Sequence, residues 1–486
     1  MRILILAYAM LAATGQYLAL AFSAEERPNL LLILADDMGY GDLSCMGSKT
    51  VVTPNLDRLA KDGVLLTQAY VTSAVCSPSR AGLVTGRDPR RFGYEANLNQ
   101  SAENYSARPE LLGLPVQEHT LGDHFRAMGY RTALIGKWHL GREPAFHPNR
   151  RGFDYFCGML EGGHNYFPAR RRSRIQRNGE LVSEFSSPYL TDFFTDEAVR
   201  QITKTSPDPT DVPWMLFVSY NAPHTPMQAT KEDLSACNTV SGEGRRTYAA
   251  MMRALDRGVG RILDALTETS QTENTLVVFL SDNGGATNNS SWNGPLSGAK
   301  GTLREGGVRV PMIWSWPSKL QPGRIDDAVA SSLDILPTFL AAAGGEALPL
   351  QEAPPYHDRP RPRRRRRGVR LADYDGLDLL PLLTARRPLP TRDLYWRLQG
   401  QAAIRSADLK LIRLAHRPAQ LYQVPMDSGE RSDLAATNTA DVDRLFAKMA
   451  AWETMRPTVP IWSSEPFWDG DSARIYDTWA PREEPQ

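Results

Sequence analysis

Along this chain, runs of consecutive apolar residues rich in β-branched side chains stop abruptly at polar or charged ones. Residues 29–34 (NLLLIL) run into Asp36-Asp37, and residues 132–135 run into Gly136-Lys137-Trp138-His139. Residues 214–220 (WMLFVSY) run into Asn221-Ala222-Pro223-His224, and residues 276–280 (LVVFL) run into Ser281-Asp282-Asn283. Unbroken apolar runs of this length suit strands covered on both faces. Helical periodicity lies between them, over 55–63, 121–128 and 247–266. Alternation of the two predicts an α/β fold, a large mixed but mostly parallel sheet flanked by helices. In open sheets of this kind ligands bind beyond the carboxyl ends of the strands. The residues capable of chemistry stand at those ends in four separate segments.

From about residue 389 the pattern changes to short strand-like runs, 393–398, 401–405 and 409–414, with turn residues between them and a helical stretch over 441–453. This predicts a catalytic α/β domain over 24–388 and a small C-terminal unit over 389–486, an antiparallel sheet with a helix. Residues 349–370 interrupt the pattern. They are rich in Pro and Arg, and the arginine run 361–367 reads as a solvated insertion or as an anchor for a polyanion such as a sulfated glycan. At the other end, Arg2, an apolar stretch over 3–22 and small residues near position 23 read as an export signal over 1–23. The span is marginal for a bilayer, so the mature chain is expected to have no membrane span and to be periplasmic or extracellular.

Composition narrows the partners. The 486 residues carry 56 basic and 55 acidic side chains, a net charge of +1, which argues against nucleic acid as the main partner. Only four cysteines occur, Cys45, Cys76, Cys157 and Cys237, too few for a disulfide framework.

Asp36, Asp37, Asp282 and Asn283 offer only oxygen ligands, which indicates a hard cation. Carboxylates gathered on neighbouring strand ends would repel each other without one, and calcium tolerates irregular oxygen cages better than magnesium does. Arg80, Lys137, His139, His224 and Lys300 can all be cationic. Positive groups crowded beside a divalent cation make sense when an anion binds among them. In Cys76-Ser77-Pro78-Ser79-Arg80, Ser77 can cap a helix and Pro78 fits its first turn, which places Cys76 against a helix N-terminus.

The stretch Cys76-Ser77-Pro78-Ser79-Arg80, continued to Thr85-Gly86-Arg87, resembles the signature of the sulfatase family. Gly136-Lys137-Trp138-His139, Asp36-Asp37-Met38-Gly39, Ala222-Pro223-His224, Ser281-Asp282-Asn283-Gly284 and Lys300-Gly301-Thr302 look like further sulfatase blocks in the expected order. The resemblance implies an alkaline phosphatase-like fold and hydrolysis of sulfate esters, of sulfated carbohydrate or aryl sulfates. It implies that a formylglycine-generating or anaerobic maturing enzyme oxidises Cys76 to formylglycine (3-oxoalanine), whose hydrate attacks sulfur. Asp36, Asp37, Asp282, Asn283 and residue 76 would hold Ca2+. Arg80, Lys137 and Lys300 would stabilise charge, His224 or Lys300 would protonate the departing alcohol, and His139 would take the proton from the second hydroxyl. His164 is a candidate for the substrate pocket. A phosphonate or phosphate ester hydrolase on the same scaffold is the alternative reading, and a non-enzymatic glycan binder using the arginine run is a third.

Overall fold

The computed structural model describes residues 27–98, 112–168, 173–204, 212–349, 374–454, 474–477 and Glu484. The expected export signal and the arginine run lie outside the described residues.

Among the described residues, eleven strands form the main sheet. They are β1 (Asn29–Ala35), β2 (Val64–Tyr70), β3 (Arg131–Lys137), β4 (Tyr155–Met159), β5 (Gln176–Arg177), β6 (Glu180–Leu181), β7 (Trp214–Ser219), β8 (Thr275–Ser281), β9 (Arg309–Ser315), β10 (Arg324–Asp326) and β11 (Ala330–Ser331). Their order is β10-β2-β9-β8-β1-β7-β3-β4-β5-β6, with β11 beside β2. The block β8-β1-β7-β3-β4 is parallel throughout, and β9 runs antiparallel to both its neighbours. The four strands expected from their apolar runs are adjacent at its centre. The fold is therefore the expected α/β sheet, mixed but mostly parallel.

The reason for the unbroken apolar runs is visible in β1. Leu30, Leu32 and Leu34 enter the core on one face, while Leu31, Ile33 and Ala35 enter the core on the other. Each is fully buried, and each large side chain contributes about 1.5–3 kcal/mol by leaving water. The helices Pro54–Lys61, Leu190–Thr203 and Glu243–Glu268 cover the second face. The helix Leu190–Thr203 was not among the expected elements.

The C-terminal sheet is antiparallel, β12 (Asp393–Leu398), β13 (Gln401–Ser406), β14 (Leu409–Leu414) and β15 (Gln420–Gln423) in that order. One face, with Trp396, Ala403 and Ile412, joins the core of the main sheet. The other, with Ile404 and Leu411, packs on Leu445 and Met449 of the helix Thr439–Thr454. Because one face is shared, the C-terminal unit is built onto the large sheet. Among the described residues no helix is long and apolar enough to cross a membrane.

Candidate active site

The parallel block aims the carboxyl ends of β1, β3, β7 and β8 at one basin. Asp36 and Asp37 follow β1, Lys137 ends β3, Ser219 ends β7, and Asp282 and Asn283 follow β8. The helix Cys76–Thr85 delivers Cys76 to the same place. The sequence expectation needs correction here. The helix begins at Cys76 itself, with Val75 at its cap and no side-chain capping bond. Ser77 Oγ instead donates to the His139 carbonyl (2.6 Å) and lies 2.6 Å from the Tyr94 hydroxyl. Ser77 therefore ties the cysteine helix to the His139 turn.

Cys76 Sγ lies 3.5 Å from Asp36 Oδ1 and 3.7 Å from Asp37 Oδ1. Lys300 Nζ stands 3.2 Å from the sulfur and 2.7 Å from Asp37 Oδ2. Lys137 Nζ donates to Asp36 Oδ2 at 2.6 Å. Arg80 is locked onto carboxylates: Nε donates to Asp282 Oδ2 (2.9 Å), Nη2 lies 2.8 Å from that oxygen, and Asp36 Oδ1 is 3.7 Å away. Its Nη1 donates to Ser219 Oγ (2.6 Å), which donates on to the Lys137 carbonyl (2.7 Å). Ser219 escaped the sequence reading. Its only signal was a hydroxyl at the end of a buried apolar strand.

His224 Nε2 is 3.6 Å from Asp37 Oδ2, and its Nδ1 lies 2.6 Å from the Thr225 carbonyl. Asp36, Asp37, Cys76 and His224 present ligand atoms all within 4.8 Å of one another. An imidazole nitrogen thus stands beside the oxygen donors read from the sequence. His139 is buried with Nδ1 unpartnered. His164 stands apart from this group, half-buried, with Nδ1 2.7 Å from the Asn165 carbonyl and Nε2 accepting from Arg174 N–H at 3.3 Å.

The electrostatics separate the two histidines from the other residues able to carry positive charge. Burial, reinforced by Lys137, Arg80 and Lys300, pushes His139 well below the usual imidazole range. Burial lowers His224 to about 4 despite the neighbouring Asp37. Both are neutral near pH 7. Burial outweighs Lys137 and Lys300 at Cys76 and lifts the thiol above its ordinary range. Burial also opposes the charge on Lys300, yet Asp37, Cys76 and Asp36 hold it above the usual lysine range. The Asp37 carboxyl would rise through burial, but Lys300, His224 and Lys137 win and hold it low.

The donor chemistry fits a hard cation. Asp282 is pushed up to about 6, first by burial and then by the Asp36 carboxylate, against Arg80 and Lys137. Asn283 donates through Nδ2 to Asp37 Oδ1 (2.8 Å), and its own Oδ1 is buried with no hydrogen-bond partner. An orphaned carbonyl oxygen beside crowded carboxylates suits a hard, oxygen-seeking cation. His224 is a weaker ligand candidate, because its side chain is 20% exposed and stands 3.6 Å from Asp37 Oδ2.

A neighbouring cleft, of about 730 Å³, is lined by Glu161, His164, Asn165, Phe167, Arg174 and Thr225 among others. Gly163 lines it as well, and a Cβ there would sit 3.5 Å from His224 Cε1, while one on the preceding Gly162 would sit 2.7 Å from His139 Cε1. All four cysteines are free.

Comparison with known proteins gives the following. The Sulfatase family model matches residues 28–345. N-acetylgalactosamine-6-sulfatase of Canis lupus familiaris is 35% identical over 396 residues, 76% of this chain and 70% of that protein. Arylsulfatase A of Homo sapiens is 32% identical over 474 residues, 86% of this chain and 85% of that protein. Among solved structures, Ps i-CgsB in complex with k-i-k-neocarrahexaose superposes with a TM-score of 0.80 at 34% identity, covering 93% of this chain and 98% of the other.

Proposed function

This chain belongs to the sulfatase family of sulfuric ester hydrolases, and from that premise we propose that it removes sulfate from sulfated carbohydrates, using residue 76 in oxidised form as nucleophile. The observation that carries the reading is the surrounding of Cys76 Sγ by Lys300 at 3.2 Å and by the Asp36 and Asp37 carboxylates at 3.5 and 3.7 Å. Sγ stands in for the oxygens of the converted side chain. A thiol whose ionisation burial suppresses is a poor nucleophile, which supports conversion to formylglycine. The hydrated aldehyde supplies two hydroxyls on one carbon, one for attack and one for release. Cys76 is 1% exposed, so a maturing enzyme would have to reach it before the chain closes.

Asp36, Asp37, Asp282, Asn283 and residue 76 would hold calcium, which when bound supplies positive charge beside the sulfuryl oxygens. Lys300 donates to the oxygen of residue 76 and neutralises the ester anion. Lys137 holds Asp36 and Arg80 holds Asp282 in place, at 2.6 and 2.8 Å. His139, neutral and with Nδ1 free of a partner, takes the proton from the second hydroxyl. His224 lies behind Gly163 of the cleft wall, and an arriving anion raises it toward protonation, so that Nε2 can give a proton to the departing alcohol. Lys300 is the other candidate for that proton.

The carbohydrate reading rests on the cleft beside His224. Its wall offers Glu161, Asn165, His164 and Arg174 for hydroxyls and anions, and an aromatic face in Phe167, which is 45% exposed. Relatives named for N-acetylgalactosamine 6-sulfate and a neighbour holding a hexaose agree with it. His164 is proposed as a substrate contact on the same ground. Family membership favours the sulfate ester over the phosphonate alternative. The test measures sulfate released from sulfated mono- and oligosaccharides alongside 4-nitrophenyl sulfate and a 4-nitrophenyl phosphonate. Sulfate release together with an aldehyde mass at residue 76 is expected. Full activity with an unmodified Cys76, or a strong preference for the phosphonate, would reverse the assignment.

A further inference from the structure

Lys300 lies on a loop, residues 297–304, between β8 and the short helix Glu305–Val308. The loop turns twice through left-handed backbone, at Gly298 (φ 79°) and Gly301 (φ 87°). Glycines impose little stiffness of their own, so the position of Lys300 depends on what grips the loop from outside.

The main domain grips one side. Lys300 N–H donates to the Gly285 carbonyl (3.0 Å), and Gly301 N–H donates to the Ala74 carbonyl (2.8 Å), two residues before Cys76. The C-terminal unit grips the other. Gln401 on β13 donates through Nε2 to the Gly301 carbonyl at 3.0 Å. Its Oε1 accepts from the Tyr476 hydroxyl (2.8 Å), whose oxygen accepts from Leu303 N–H (2.8 Å). Glu430 accepts from Ser297 Oγ (2.6 Å) and from Glu305 N–H (2.9 Å), and Lys410 on β14 neutralises Glu430 and Glu305 at 3.1 and 2.9 Å. These groups are buried, so water does not substitute readily for them.

We propose that the C-terminal unit sets the position of Lys300, with Gln401 as a positioning residue acting through the Gly301 carbonyl. The inference rests on Lys300 working at residue 76, as proposed above. A lysine stem is flexible, so its Nζ keeps its place against Asp37 and residue 76 only if its Cα is fixed. If Gln401 served only to glue the two units together, its loss would cost stability and would not depend on Lys300.

The test compares kcat and KM of the mature enzyme for 4-nitrophenyl sulfate in the parent, Gln401→Ala, Lys300→Ala and the double variant. Gln401→Ala should lower kcat by about 10- to 100-fold with KM changed much less, since a displacement near 1 Å has that effect on a positioned group. In the Lys300→Ala background the same change should have no further effect beyond about twofold, the signature of two residues acting as one unit. Effects that multiply in the double variant overturn the inference. So does a Gln401→Ala enzyme with parental kcat beside a crippled Lys300→Ala, and that result leaves the site reading standing. Parental kcat in Lys300→Ala overturns both. If Gln401→Ala does not fold, Tyr476→Phe removes the hydroxyl joining Gln401 to Leu303 with a smaller change in shape, and the same pattern is expected.

Discussion

Replacing Arg80 by alanine removes a guanidinium that is 1% exposed and spans two buried carboxylates. Asp282 loses contacts at 2.8 and 2.9 Å, and Asp36 loses a cation at 3.7 Å. Ser219 Oγ loses its donor as well, and the Lys137 carbonyl keeps only the Ser219 hydroxyl. Breaking a buried pair by deleting one partner costs about 3–5 kcal/mol, because the remaining charge has no water to turn to. In urea, with a slope of about 3 kcal/mol/M, the unfolding midpoint should fall by about 1–1.7 M. The assay is tryptophan fluorescence of the chelator-treated protein at pH 7.5. Saturating calcium should narrow the gap, since a divalent cation compensates the same carboxylates. Arg80→Lys keeps the charge but cannot span Asp282 and Ser219 with one point donor, so it should recover only part of the loss. A midpoint for Arg80→Ala within about 0.2 M of the parent in chelator would refute the reasoning, since it would mean that water or relaxation replaces the guanidinium.

Three further outcomes are expected. Burial and then His119 lower His124 to about 4, against 6.5 when unfolded. Its folded form binds fewer protons, so the stability it contributes is intact above pH 6.5 and is lost as pH falls toward 4, by about 3 kcal/mol. His124→Gln should flatten that part of the pH–stability curve, and an unchanged slope would contradict the assignment. Asp282→Asn should weaken calcium binding, read by titration calorimetry, by about 10- to 100-fold while thermal unfolding stays cooperative, since the amide keeps the volume and gives up the charge. Unaltered affinity would take Asp282 out of the ligand set. Gly162→Ala should push the His139 ring, because its Cβ would stand 2.7 Å from Cε1. A loss in kcat of about 10-fold or more is expected from that displacement, with KM for 4-nitrophenyl sulfate nearly constant, and a parental kcat would show that the ring has room to yield.

The strands carrying the site were legible because burial on both faces leaves an unmistakable mark on composition. The runs ending at Asp36, Lys137, Asn221 and Asp282 became four neighbouring strands. β2 and β9 were not singled out. VLLTQAY carries Thr67 and Gln68, and RVPMIWS carries Arg309 and Pro311, so polar and turn-forming residues blur the same mark. Ser77 was misread as a cap because its hydroxyl could satisfy either a local amide or a distant carbonyl. The tertiary structure gives it His139, 62 residues away.

By itself the sequence determined which residue types end each apolar strand, since that depends only on local order along the chain. It therefore carried the candidate nucleophile, the carboxylates and the basic residues by position. Which of the basic residues carry charge was decided by the tertiary structure alone. Burial and close cations keep His139 and His224 neutral, while Asp37 and its neighbours hold the charge on Lys300 against burial. Solvation and distance set the protonation of a side chain, and both come from residues hundreds of positions apart being brought to one basin.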